Sequence, residues 1–402
     1  MRTAIERARL FLLLTVASSF LPRVGGCAAS GGGDEAPRPP PTQQPDVPTI
    51  PPIISAARAG DLATVSQILS SDPAAVASKQ PPTMKMEMSN EGRTALHWAA
   101  ERGDAKLARL LISHGADVAA RDDAREQPLH MTENEQVAAA LLAAGADPMA
   151  RDSGDRTPLH HARSADVPET LLKAGADVND ARARTRETPL HAAAASGRAD
   201  VVKLLLRKGA RVDVTDEYGN TPLYVGARSG PRVVRLLLDH GADPNARPGG
   251  DDDRPLDEAL MAGHGDTTRL LIERGADPRR CDEFGFNALH LAAIGGSADA
   301  AELLLSLGLD VNSRTRDGVT PLMTAAKYGH LEFVRLLLDS GADPHVRSKD
   351  GRTALLEATK EEAYPTPAGT SQMLRGHRAW WEKQQARRRA TADLLRERGA
   401  RD

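Results

Sequence analysis

Five histidines recur at near-constant intervals, at His97, His130, His160, His191 and His290, with His191 and His290 separated by three units of the same period. Imidazoles in series are the residue type for a metal centre or a proton relay. Their spacing argues against both. Each histidine closes a short phrase made of a polar or small residue, then Pro or Ala, then Leu. The phrase begins at Thr94, Gln127, Thr157, Thr188, Thr221, Arg254, Asn287, Thr320 and Thr353, at intervals of 30 to 33 residues. A fixed period of that length marks a solenoid, because so short a unit cannot bury its own hydrophobic face and must stack on its neighbours. Successive phrases then lie one helix pair apart, roughly 10 Å, while zinc holds each nitrogen ligand at about 2.0–2.1 Å. His160-His161 is the one adjacent pair, and the sequence sets no Cys or carboxylate beside it at ligand spacing.

The other reactive side chains carry no catalytic pattern. Cys281 is a lone thiol in a loop with no base-bearing motif beside it, so a nucleophile or an intermolecular link is the weaker reading. Gly31-Gly32-Gly33 is not followed by Lys and Ser or Thr, and neither HExxH nor GxSxG occurs. The aspartates of the repeated Gly-Ala-Asp sequences (Asp117, Asp147, Asp177, Asp243, Asp277, Asp343) fall at helix ends and turns, where Asp bonds local backbone N–H groups. No catalytic, cofactor-binding or metal residue is expected, and the chain reads as no enzyme. With 52 basic and 55 acidic side chains, net charge −3, it lacks the concentrated positive field of a nucleic-acid binder. Nothing implies a small-molecule substrate.

The elements that position these residues follow from the same period. Pro suits the first turn of a helix, where its missing N–H is no loss, and the Thr before it can cap. An inner helix therefore opens at each phrase. Gly197, Gly230, Gly263, Gly296 and Gly329 stop it, and an outer helix follows with apolar residues at helical spacing, such as Val201, Val202, Leu204, Leu205 and Leu206. A further glycine (Gly115, Gly145, Gly175, Gly209, Gly241, Gly275, Gly308, Gly341) ends the outer helix where a left-handed cap is needed. The units at Gln127 and Thr157 are three residues short and lack the inter-helix glycine, which predicts a tighter turn or a clipped inner helix. A looser unit at Pro52–Asp61 reads as an N-terminal cap, with about ten extra residues near Pro73 to Met88. Twenty-five residues are inserted in the last unit, between Thr353 and Gly399. At 40 % hydrophobic but 3 % aromatic residues, the core must be Leu, Ala and Val, which suits close-packed short helices.

From Thr188 the chain reads TPLHAAAASGRADVVKLLLRKGARVDVTDEYGN, and this phrase and period resemble the ankyrin repeat over roughly residues 50 to 400. The resemblance implies an all-α, ankyrin-repeat solenoid of about ten helix-turn-helix units with β-hairpin loops. It also implies that each shared histidine bonds the backbone of the adjacent loop. By function it implies a non-catalytic protein-protein interaction scaffold with an unidentified protein partner. One alternative is an inhibitor or immunity factor that occludes a specific enzyme or toxin; another is an enzyme with its site in the C-terminal insertion, about residues 361–386. The partner-binding candidates are the loop-tip residues Tyr218, Asp251, Asp252 and Phe284, and Trp98 on an early inner helix. Exposed aromatics flanking acidic residues make an interaction hot spot, and the competing reading packs the rings against the fold. Between Arg375 and Arg398 the chain is strongly basic, with Trp380-Trp381 at the start. This reads as a long outer helix capping the stack, with anionic lipid or a peptide as alternative contacts.

Residues 1–26 carry Arg2, Arg7 and Arg9, then an apolar run from Leu10 to Leu21, then small residues. That is the pattern of a secretory signal peptide, too short to span a bilayer. Val24-Gly25-Gly26-Cys27 is similar to the lipobox of bacterial lipoproteins, in which the Cys27 thiol is lipidated, although Val24 and the nearby Arg23 depart from the usual pattern. Ala28 after it implies the outer membrane. Plain cleavage between Ala17 and Ala29, giving a soluble secreted protein, is the alternative. Residues 27–50 hold the anchor and a Gly/Pro-rich tether that cannot bury enough apolar surface to fold. Residues 51–402 form the repeat domain.

Overall fold

A computed structural model describes residues 50–81, 91–247, 253–360 and 371–401, with backbone alone over 371–377. The signal peptide, Cys27, the tether, Asp251, Asp252 and residues 361–370 of the insertion lie outside the described residues. Among those described, the chain is a series of ten inner and outer helix pairs. It divides into two compact units at the fifth pair, Pro189–Ala195 with Ala199–Arg207. Of the described residues, one unit holds those up to Ala193 with Lys203–Ala210, and the other holds Ala194–Val202 and everything from Arg211.

Both units obey the local rules. Thr221 and Thr320 accept from the N–H of Tyr224 and Met323 at 3.2 and 3.3 Å, capping helices Pro222–Gly226 and Pro321–Tyr328. The phrase leucines Leu96, Leu129, Leu159, Leu190, Leu223, Leu256, Leu289, Leu322 and Leu355 are all buried, each contributing on the order of 2 kcal/mol of apolar transfer. Gly296 ends helix Ala288–Gly295 in the left-handed region at φ 76°, and an added Cβ there would stand 2.3 Å from His330 Nδ1.

In the N-terminal unit the two short repeats have clipped inner helices. One is Pro128–Met131, and the other is a single 3-10 turn, Pro158–His161, whereas their outer helices Glu135–Ala143 and Asp166–Lys173 keep ordinary length. The C-terminal unit runs in fuller pairs, such as Ala288–Gly295 with Ala298–Ser306. Its last outer helix, Ser371–Glu397, is 27 residues long. The buried Arg388 of that helix donates to the carbonyls of Glu357 and Lys360 at 2.7 and 2.6 Å, satisfying the orphan acceptors where helix Ala354–Thr359 stops.

The expected β-hairpins are reduced to turns. Among the described residues no strand forms, and the bridges are the isolated pairs Lys79 with Thr94 and Cys281 with Asn287. Each regular loop closes in five residues, as where Asp282 N–H donates to Phe286 C=O at 2.9 Å, leaving arms too short for a ladder.

Candidate protein-interaction surface

In the C-terminal unit four described loop tips are each shaped by one side chain. Asp216 Oδ1 accepts from the N–H groups of Tyr218 and Asn220 at 2.9 and 2.8 Å. Asp282 does the same for Phe284 and Phe286, both at 2.8 Å. Thr315 and Ser348 supply a hydroxyl at the corresponding place, accepting from Val319 and Arg352 at 3.1 and 3.0 Å. Neighbouring tips are also joined by backbone, Arg316 N–H to Phe284 C=O and Lys349 N–H to Asp317 C=O, both 2.8 Å. The result is a braced edge rather than separate loops. Phe284, on that edge, is half-buried, while Tyr218, on the tip shaped by Asp216, is 65 % exposed. Trp98, in the N-terminal unit, is only 7 % exposed, with the guanidinium carbons of Arg58 and Arg93 each 5.1 Å from its ring centroid.

The tip-shaping Asp122, Asp152, Asp216 and Asp282 escaped the sequence reading, which followed the Gly-Ala-Asp aspartates instead. Each stands five residues before its phrase, and that offset was the available signal. The Gly-Ala-Asp residues do form local turns, for example Asp117 Oδ1 with Ala119 N–H and Asp243 Oδ1 with Asn245 N–H, both 2.9 Å.

On the inner helices of the C-terminal unit the phrase breaks, and polar networks replace it. Tyr224, in the histidine position, donates its hydroxyl to Glu258 Oε1 at 2.7 Å, and Arg228 Nε bonds the other carboxylate oxygen. Glu258 is buried and Arg228 half-exposed, so a charged head sits at the surface over a fixed anion. Asp257 also takes the histidine position. Its carboxylate accepts from Arg254 N–H at 2.9 Å, and burial pushes its pKa up to about 7, against the opposing bond from Arg254. Glu357 occupies the same phrase position as Glu258 and pairs with Arg352 at 2.6 Å. None of these was singled out from sequence.

The histidines are structural ties. In the N-terminal unit His97 Nδ1 accepts from Thr94 N–H at 3.0 Å, and Nε2–H donates to Glu126 C=O at 3.1 Å. His130 and His160 repeat this with Ala150 C=O and Glu187 C=O, both 3.1 Å, and His290 in the C-terminal unit does so with Val319 C=O at 3.0 Å. Burial lowers the pKa of all four to about 4, outweighing the carbonyl bonds, so they are neutral.

One expectation is corrected. His161 was expected to have no carboxylate at ligand spacing, yet its Nε2 lies 2.9 Å from Asp152 Oδ2 and 4.0 Å from Glu126 Oε1. Two loops distant in sequence are brought together by stacking, which linear spacing does not register. Cys281 is a free, exposed thiol.

Family models for ankyrin repeats match residues 164–248, 256–348 and 310–366 (3 copies), 91–123 (a single repeat) and 230–272 (many copies), together more than half of the chain. The chain is 35 % identical over 103 residues to cyclin-dependent kinase 4 inhibitor B of Rattus norvegicus, covering 26 % of this chain and 79 % of that protein. It is 39 % identical over 87 residues to cyclin-dependent kinase inhibitor 2A of Homo sapiens, covering 22 % and 56 %. The crystal structure of the human ASB11 ankyrin repeat domain aligns with TM-score 0.45 and 29 % identity, over 55 % of this chain and 98 % of that one.

Proposed function

The chain belongs to the ankyrin-repeat family, and on that premise we propose that it is a non-catalytic scaffold that binds another protein, exported and held at the cell envelope by a lipid on Cys27. The observation that carries the binding half is Tyr218, a large aromatic 65 % exposed on a tip whose backbone is braced by Asp216. A pre-ordered aromatic loses little entropy on contact and makes an anchor. Phe284, at the corresponding tip two units on, and the half-exposed Arg228 above Glu258 extend the surface, and Asp251 and Asp252 stand between Tyr218 and Phe284 in the sequence. Affinity capture from envelope extracts tests it. Tyr218→Ala should weaken a partner's binding by about 1–2 kcal/mol with the thermal melt unchanged, and undiminished capture by the Tyr218→Ala, Phe284→Ala double variant would refute this surface.

The anchor rests on the sequence of residues 1–50 alone. Among the described residues no helix is long and apolar enough to cross a membrane. Cys27→Ser should release the protein from the membrane fraction or leave it unprocessed, and membrane association unaffected by that change would remove the lipid from the proposal.

A second reading, an inhibitor or immunity factor that occludes one enzyme or toxin, is favoured by the two relatives whose names describe kinase inhibitors. Titrating the purified chain against the activity of a captured enzyme separates the readings: a scaffold leaves turnover unchanged, an inhibitor abolishes it at one equivalent.

A further inference from the structure

The two short repeats bring together a set of groups that lie outside the proposed partner surface. Because the inner helix of the second is a single turn, His161 is its last residue, and its imidazole reaches the loop that precedes it. Glu126 Oε1, Asp152 Oδ2 and His161 Nε2 all lie within 4.8 Å of one another. Tetrahedral zinc with bonds of about 2.0–2.2 Å keeps its ligands roughly 3.3–3.5 Å apart. The observed His161 separations of 2.9 and 4.0 Å bracket that value, so the imidazole needs only small shifts against the two carboxylates to share an ion with them.

The support around these atoms is built. The Asp152 carboxylate is fully buried, and its Oδ1 accepts from Gly154 N–H and Arg156 N–H at 2.8 and 2.9 Å, which aims Oδ2 at His161. Burial alone would raise its pKa, but the bonds from His161 and Arg156 outweigh that and hold it well below the usual carboxylate range. The His161 ring stands edge-on to His130, centroids 5.5 Å apart, and both nitrogens of His130 are committed to backbone. Side-chain exposures of 19 % for Glu126 and 17 % for His161 leave an entry path.

We propose that Glu126, Asp152 and His161 bind a zinc ion, with water in the fourth position, stitching the loop before the Gln127 phrase to the repeat that begins at Thr157. Arg156 is its built-in competitor. Its Nη2 lies 2.8 Å from Asp152 Oδ2 and 3.8 Å from Glu126 Oε1, so the guanidinium compensates the carboxylates in the metal-free protein. At 42 % side-chain exposure it can swing into solvent when the ion enters. Binding also needs the imidazole proton on Nδ1, which frees the Nε2 lone pair. The ion would rigidify the stretch where the turn glycines are missing.

Zinc chloride titrated calorimetrically into the metal-stripped full chain at neutral pH tests the site. One equivalent should bind, His161→Ala should weaken that binding at least about tenfold, and Arg156→Gln should tighten it by about tenfold. Circular dichroism checks that each variant is folded. If His161→Ala does not fold, Glu126→Gln, a partly exposed change, carries the same expectation of weakened binding. Zinc affinity unchanged in the folded His161→Ala or Glu126→Gln chain, or no binding by either wild type or Arg156→Gln, would overturn the proposal and leave a plain ion-pair network.

Discussion

The two units solve the same loop with different residues. In the C-terminal unit the tip position in the left-handed region is glycine at Gly219, Gly285, Gly318 and Gly351; in the N-terminal unit Gly92 is followed by Arg125, Asp155 and Arg186 at φ 58°, 62° and 56°. The C-terminal unit in turn gives up the histidine tie at Tyr224 and Asp257, which the N-terminal unit keeps at His97, His130 and His160. Each unit therefore departs from the repeat at different positions. Asp122 and Asp152 cup the tips of Arg125 and Asp155, while at the tip of Arg186 the cup position is Ala183, whose N–H donates to Asp155 of the neighbouring tip. At Tyr224 and Asp257 a phenol or a carboxyl takes the place of the histidine, and the Tyr224 phenol bonds the buried Glu258, whereas at Met323 and Leu356 the position is simply apolar.

The largest consequence is acid sensitivity, and it should be unequal. His97, His130, His160 and His290 have their folded pKa lowered by burial from 6.5 to about 4. As pH falls below the unfolded value, the unfolded chain takes up protons that the folded chain refuses. The stability these groups contribute is therefore complete above pH 6.5 and is lost as pH falls towards about 4, by at most about 3 kcal/mol each. Three of these four lie in the N-terminal unit, against His290 and, with a pKa also lowered by burial, His330 in the C-terminal one. Hydrogen exchange at mildly acidic pH should show protection of the N-terminal unit falling well before that of the C-terminal unit, and equal loss in both would contradict the assigned ties.

Next in size is a close approach confined to the C-terminal unit. A Cβ on Gly295 would lie 2.1 Å from Leu260 C=O and 2.6 Å from Gly263 N, where backbone cannot yield as a side chain can. Gly295→Ala should destabilise by about 3 kcal/mol or more. Gly115→Ala in the N-terminal unit meets nothing within 4 Å and costs only its left-handed φ of 83°, about 1 kcal/mol. Chemical denaturation of the two variants checks the ranking.

Most of the fold was legible because it repeats: Pro, Leu and the turn glycines act within a few residues of themselves, so their period reports their structure. The ties between units were legible only as a shared position. His97 and Glu126 are partners because one unit stacks on the next, and the sequence marks the histidine without marking the carbonyl. Glu126 near His161 and the pair of Tyr224 with Glu258 were illegible for the same reason, since they meet only across a stack, and Asp152 meets His161 only because the clipped helix ends at that residue. Tyr218 was legible as a tip residue; its exposure, against the half-buried Phe284, required the packing of adjacent tips.

A smaller effect tests the histidine exchange directly. Asp257 sits where His97 or His290 would donate to the next loop, and its pKa, pushed up by burial to about 7, means that the charged form is disfavoured in the fold. Its contribution is complete below the ordinary value of 3.8 and is lost as pH rises through about 7. Asp257→His restores an Nε2–H donor facing the Phe286 carbonyl position. Above pH 7 it should stabilise the chain by about 1 kcal/mol, read as a raised thermal midpoint, and a lowered midpoint would mean that the notch formed by Arg254, Asp257 and Arg280 is adapted to a carboxylate.

The smallest effect concerns the tips. Arg125 holds φ 58° although its side chain is exposed, and a non-glycine residue in that region costs roughly 1 kcal/mol relative to glycine. Against this, glycine loosens the unfolded chain by a comparable entropy, so Arg125→Gly should stabilise by well under about 1 kcal/mol. The reverse exchange is not symmetrical. A Cβ on Gly285 would press on Arg316 N and Thr315 Cα, both at 3.1 Å, so Gly285→Ala carries the strain of its φ and a contact with the neighbouring tip together. Measured by denaturant midpoint, the pair should show a slight gain in the N-terminal unit and a loss of about 1–2 kcal/mol in the C-terminal one. If both changes proved neutral, the tips would be free to relax, and the bond from Arg316 N–H to Phe284 C=O would not hold the edge in one arrangement.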